Sequence, residues 1–166
     1  MIESKNKNKI VFKNARIIDP HSGFDDKAGL IVENKVIKDF GKHLFKNDNI
    51  DDALIIDCHN NILCPGFIDL NANIGEPGEE FKENVNTASD AALASGITSI
   101  VCMPNTNPII DQIPIIQYIE KRAKETNGVK IYASASITKN LEGKNLLRWD
   151  YYWKQVQFYF QKQIKL

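Results

Sequence analysis

The sequence predicts an α/β fold: a small antiparallel β unit, then the opening units of a parallel-stranded (β/α)₈-type barrel. Three observations predict it. Residues 10–63 show short runs of apolar/polar alternation broken by turn residues, the pattern of paired strands. After Pro65-Gly66 the order becomes strand, loop, helix, repeated, and a third strand follows, which calls for parallel strands joined by crossover helices. The loops after the first two of these strands are long and the helix-to-strand returns short, as in a barrel that carries its chemistry at the carboxyl ends of its strands.

In chain order, "IVFKNARIID" and "GLIVENKVIKDFG" are strand runs punctuated by Asp19-Pro20-His21-Ser22-Gly23 and Glu33-Asn34-Lys35, and "ALIIDCHNNILCPG" repeats the design. Phe67 to Leu70 is an apolar strand, residues 82–95 a helix stopped by Gly96, and Ile97 to Met103 the next strand. Pro104 to Ile113 is a loop. Pro114 to Thr126 is a helix with proline in its first turn and Asn127-Gly128 as its stop, and "VKIYASASI" is the third strand. A barrel needs eight such units and typically about 250 residues. This chain of 166 residues offers three, so the barrel is incomplete. The expected divisions are residues 1–64 for the β unit, 65–147 for the barrel part and 148–166 for a distinct tail.

Composition narrows the function classes. With 43% hydrophobic and 25% charged residues the chain has the balance of a globular domain. Lys+Arg and Asp+Glu are equal at 21 each, so no basic field exists to attract nucleic acid or anionic lipid. The start, "MIESKNKNKI", is polar with no apolar stretch behind it, and no run reaches the length of a membrane span. A cytoplasmic protein is expected, without a nucleic-acid or membrane partner. Cys58, Cys64 and Cys102 are odd in number, sit in or beside apolar runs and lack C-x-x-C spacing, which fits reduced, buried thiols.

The segment "PGFIDLNANIGEPGEEFKENVNTASDAALASGITSIVCMPNTNPIID", with "NARIIDP" before it and "ASITKNLEGKNL" after it, resembles the dihydroorotases of the amidohydrolase superfamily. The resemblance covers about residues 10–147, and its specific parts are E-P-G and M-P-N-T-N-P. It implies a β sandwich of which residues 1–64 form the N-terminal part, a metal-bearing (β/α)₈ barrel, zinc as cofactor, and reversible cyclisation of carbamoyl aspartate to dihydroorotate in pyrimidine synthesis.

The departures from the family pattern bear on function. The family's strand tip is His-x-His followed two residues later by Arg, the imidazoles binding zinc and the guanidinium gripping a substrate carboxylate. Here those positions hold Asn71, Asn73 and Gly75. A neutral carboxamide oxygen is a weak donor to zinc, which favours imidazole, thiolate and carboxylate. Without the metal no water has its pKa brought down to about 7, and glycine leaves no bidentate clamp. No bound metal and no catalytic residue are therefore expected. Asn105 matches the family's substrate-contacting asparagine, and it equally suits a turn cap before Pro108. His21, His43 and His59 match no ligand position and read as surface or turn residues. Glu76, Glu79, Glu80 and Glu83 read as a solvated charge cluster near a helix start, and Asp69 as a buried structural acid.

After Leu147 the composition breaks. "RWDYYWKQVQFYFQKQIKL" holds both tryptophans and shows neither helical nor alternating order. A structural account makes it an aromatic terminal helix, or a membrane-surface anchor with Lys154, Lys162 and Lys165. The genetic code offers another. Read from the third base of each codon, Trp149-Asp150-Tyr151-Tyr152-Trp153-Lys154 is forced to give Gly-Leu-Leu-Leu-Glu, which is dihydroorotase-like, so residues 148–166 are expected to be an out-of-frame tail. Three functions follow from the resemblance and its departures: an active zinc-dependent dihydroorotase; a non-catalytic homologue that scaffolds aspartate carbamoyltransferase in its full-length form; or a truncated fragment without a function of its own.

Overall fold

The computed structural model describes residues 8–44, 53–126 and 128–148. The chain divides into two units, Met1–Pro65 and Gly66–Leu166. The tail from Trp149 onward, with Lys154, Lys162 and Lys165, lies outside the described residues.

In the first unit, β1 (Lys9–Asp19), β2 (Phe24–Glu33) and β3 (Val36–Gly41) form an antiparallel meander. The β2–β3 hairpin turns through Asn34 and Lys35, both at positive φ (51° and 66°), the pair of conformations a tight two-residue hairpin loop requires. β4 (Leu54–Asp57) and β5 (Ile62–Leu63) both pair with β1, and they run parallel to it. The unit is therefore a mixed sheet and not the wholly antiparallel one expected. Alternating patterns do not separate the two cases, because a strand reached by a longer connection keeps the same period of two.

The register between β1 and β2 shifts between Phe12 and Ala15, with Asn14 at φ 55°. The extra residue resets the alternation. Phe12, Ala15 and Ile17 thereby join one cluster with Leu30, Ala28 and Val32, although their spacing is three and then two. Phe24 and Phe40 pack edge to face beside them, with ring centroids 5.3 Å apart.

The second unit alternates as expected: β6 (Phe67–Ala72), α1 (Val85–Ala94), β7 (Ile97–Cys102), α2 (Ile113–Glu125) and β8 (Lys130–Ala133). The strands are parallel in the order β6-β7-β8. Helix α1 starts three residues later than the predicted position 82. Asn84 keeps an extended backbone and its side chain accepts from the Asn86 and Thr87 N–H groups, while the Thr87 hydroxyl accepts from the Asn84 N–H, a reciprocal cap that fixes the start. Helix α2 has Pro114 in its first turn and Arg122 and Lys124 in its last, where cations suit the helix dipole. Strand β8 is shorter than the predicted run over residues 129–137. The core comprises Val85 and Ala92 of α1, Ile100 and Cys102 of β7, Ile116 and Ile119 of α2, and Ile131 of β8, with loop residue Ile110. The fold class is α/β, an N-terminal β-sheet unit followed by the strand–helix alternation of a barrel.

The thiols correct one expectation. All three cysteines are free, but only Cys102 is buried; Cys58 is half-buried and Cys64 exposed. Cys64 precedes the Pro65-Gly66 boundary, where apolar neighbours in sequence do not translate into a packed environment. His21, His43 and His59 are exposed, as expected, and His43 lies 2.9 Å from Asp39.

Candidate strand-tip site

Parallel pairing brings the carboxyl ends of β6 and β7 side by side: Ala72 is in register with Cys102, and the Met103 N–H donates to the Ala72 carbonyl at 2.9 Å. The two expected loops therefore meet. Asn105 Nδ2 donates to Asn73 Oδ1 at 2.9 Å. The Asn107 N–H donates to the Pro77 carbonyl at 3.0 Å, and a side chain on Gly78 would run into the Asn107 carbonyl oxygen. Gly78 also sits at φ +99°, so both space and backbone conformation call for glycine there. E-P-G and M-P-N-T-N-P thus form one interlocked pair of loops. The described side-chain bond of Asn105 is to Asn73 rather than to the turn before Pro108.

Asn71 and Asn73 are exposed at the tip, and with Asp69 and Glu83 they line a cleft of about 310 Å³ whose other wall is Ala88 and Ala92 of α1. Asp69 is half-buried rather than buried, and its carboxylate accepts from the Asn71 N–H at 2.9 Å. Among the described residues no cation lines this cleft. Gly75 lies beneath its own loop: a Cβ placed there would stand 2.5 Å from the Glu79 carbonyl oxygen and 2.9 Å from that of Glu83. A side chain of any kind is shut out by backbone.

Zinc does not fit these residues. The tip offers carboxamides, one of whose oxygens already accepts from Asn105, and among the described residues no group of three or more His, Cys, Asp or Glu is placed to hold a metal ion.

Glu76 overturns its expectation. It is 2% exposed, not a solvated charge. Its carboxylate accepts from the Val85 N–H at 2.9 Å, the Tyr118 hydroxyl at 2.8 Å and Arg122 Nε at 2.5 Å, while Arg122 also pairs with Glu125. Burial pushes the carboxyl up, but the bonds from Arg122, Val85 and Tyr118 together hold it below its ordinary value. The hydrogen bond to Glu76 in turn raises both Arg122 and Tyr118. Sequence reasoning missed these partners. The available signal was the i, i+4 spacing of Tyr118 and Arg122 on one face of α2, which needs a known partner across the loop to mean anything. Glu79 pairs with Lys82 and Glu80 accepts from the Gly78 N–H, so these two neighbours keep local surface roles.

The class of fold is that of the amidohydrolase barrels. L-hydantoinase from Arthrobacter aurescens superposes with a TM-score of 0.67 at 20% identity over 80% of this chain and 29% of its own, and dihydropyrimidinase from Brevibacillus agri with 0.64 at 21% over 80% and 28%. Within that class the chain belongs to the dihydro-orotase-like family, whose model matches residues 60–163. Dihydroorotase of Ehrlichia chaffeensis is 47% identical over 134 residues, 79% of this chain and 30% of that protein. Dihydroorotase of Aquifex aeolicus is 37% identical over 138 residues, 83% of this chain and 32% of that protein. The chain thus spans about 30% of the length of these curated relatives. The family match runs into the segment that the reading-frame argument sets apart.

Proposed function

We propose that this is a dihydroorotase-like protein of pyrimidine biosynthesis that has lost catalysis, and that its full-length form is a non-catalytic scaffold for aspartate carbamoyltransferase. The observation that carries the loss of catalysis is the strand tip: carboxamides at Asn71 and Asn73, the second committed to Asn105, and a Gly75 position closed by the Glu79 and Glu83 carbonyls. A tip of this kind supplies neither a Lewis acid nor a clamp for a carboxylate. The scaffold role is an inference from the resemblance to metal-less homologues. Forced codons across residues 149–154 support an out-of-frame tail and hence a truncated fragment, and the family match to residue 163 counts against it.

The expected outcome for the purified chain, with zinc added and excess removed, is far less than one zinc per molecule by elemental analysis and no hydrolysis of dihydroorotate. Co-expression with aspartate carbamoyltransferase tests the scaffold role on the form whose reading frame is restored near the codon for Leu147. A transcarbamoylase that assembles and turns over equally well alone defeats it. The second reading, an active zinc-dependent dihydroorotase, is favoured by the 47% identity to a protein of that name. Stoichiometric zinc together with turnover would establish it.

A further inference from the structure

The buried Glu76 carboxylate has no part in the proposed function, yet three groups from two helices of the second unit donate to it: the first N–H of α1, and Tyr118 and Arg122 of α2. The residue after it, Pro77, accepts from Asn107, and Gly78 makes room for the Asn107 carbonyl. Two residues before Asn107, Asn105 holds Asn73. Glu76 itself touches neither Asn105 nor Asn107 by any described hydrogen bond. We propose that Glu76 is the positioning residue of the strand tip: held from α2, it sets the Pro77-Gly78 turn against the loop after β7 and so keeps Asn105 within reach of Asn73.

The physical ground is that an exposed carboxamide pair is weak by itself and persists only where its backbones are fixed. A buried carboxylate with three donors is a far stiffer fixture than anything else touching residues 75–83, whose other side-chain ties are exposed. Losing the anchor frees the turn, and the turn carries the loop after β7 with it.

The test uses the 166-residue chain with ¹⁵N-asparagine and amide exchange as readouts. In Glu76→Gln, exchange at the Asn107 N–H and at the Asn105 side-chain amide is expected to rise at least about tenfold relative to the amides of β7. Arg122→Gln, which leaves the loop sequence untouched, should do the same, and Glu125→Gln, which removes only the outer partner of Arg122, should not. A lowered melting temperature in both Glu76→Gln and Arg122→Gln, with Asn105 and Asn107 exchanging as in the parent, would show that Glu76 merely stabilises α1 against α2 and would overturn the proposal. Should Glu76→Gln fail to fold, Arg122→Gln decides alone.

Discussion

At the scale of residues, the glutamate of E-P-G shows how far a motif can be read without its partners. The acidic cluster at residues 76–83 is legible as charge next to a helix start, but which member is buried depends on Tyr118 and Arg122, some forty residues away in sequence. Replacing Arg122 with Met leaves a carboxylate buried without its cation and is expected to cost about 3 kcal/mol, measured by denaturant unfolding. The pH dependence has a definite sign. Because Glu76 is held below its ordinary value in the folded protein, its stabilising contribution is present above the unfolded-state value of about 4.3 and is lost as pH falls through the lower, folded value. Asp19, Asp25, Asp26 and Asp57 are also lowered and add an acid slope of their own, which cancels in the difference between parent and Arg122→Met. A parent and variant that lose stability in parallel below pH about 4 would contradict this. Gly75 carries a similar lesson: the missing side chain is visible in sequence, the carbonyl oxygens that close the position are not.

At the scale of elements, the alternation after Gly66 was readable because each helix carries its own punctuation. Pro114 opens α2 and Gly96 follows α1. The one shifted boundary has a local cause, since Asn84 cannot be helical and also cap the Asn86 and Thr87 N–H groups. Asn84→Ala should therefore destabilise the second unit by about 1 kcal/mol, and Asn84→Asp should leave it near the parent value, by thermal or denaturant unfolding. The direction of β4 and β5 was not legible. Strand direction is set by where the connecting chain returns, and the stretch between β3 and β4 has no pattern that says so. The bulge at Asn14 was equally hidden, because an extra residue reads simply as broken alternation.

At the scale of the molecule, two units hold separate cores, and each leaves apolar strand surface in contact with solvent. Among the described residues β6 has a neighbour only in β7, and Phe67, Ile68 and Leu70 are 62%, 63% and 71% exposed. An open, apolar edge of this kind is a template for pairing with other chains. The chain is expected to self-associate as its concentration is raised, and Ile68→Lys with Leu70→Lys to shift that onset to higher concentration in sedimentation velocity. A parent that stays monomeric throughout would count against this. Longer relatives, of which this chain matches about 30%, have the length to cover such an edge.

The three thiols differ in a way that makes them a set of internal reporters. Cys64 is open to reagent, Cys58 packs partly into the cluster around Ala15 and Ile17, and Cys102 is closed within the core around Ile100 and Ile119, where burial also raises its thiol and so lowers its thiolate fraction. Alkylation followed over time therefore separates into an immediate phase at Cys64, a phase gated by breathing of the first sheet, and a slow phase that waits for the second core to open. The order and spacing of the last two phases say which half of the chain lets go first, with no label added.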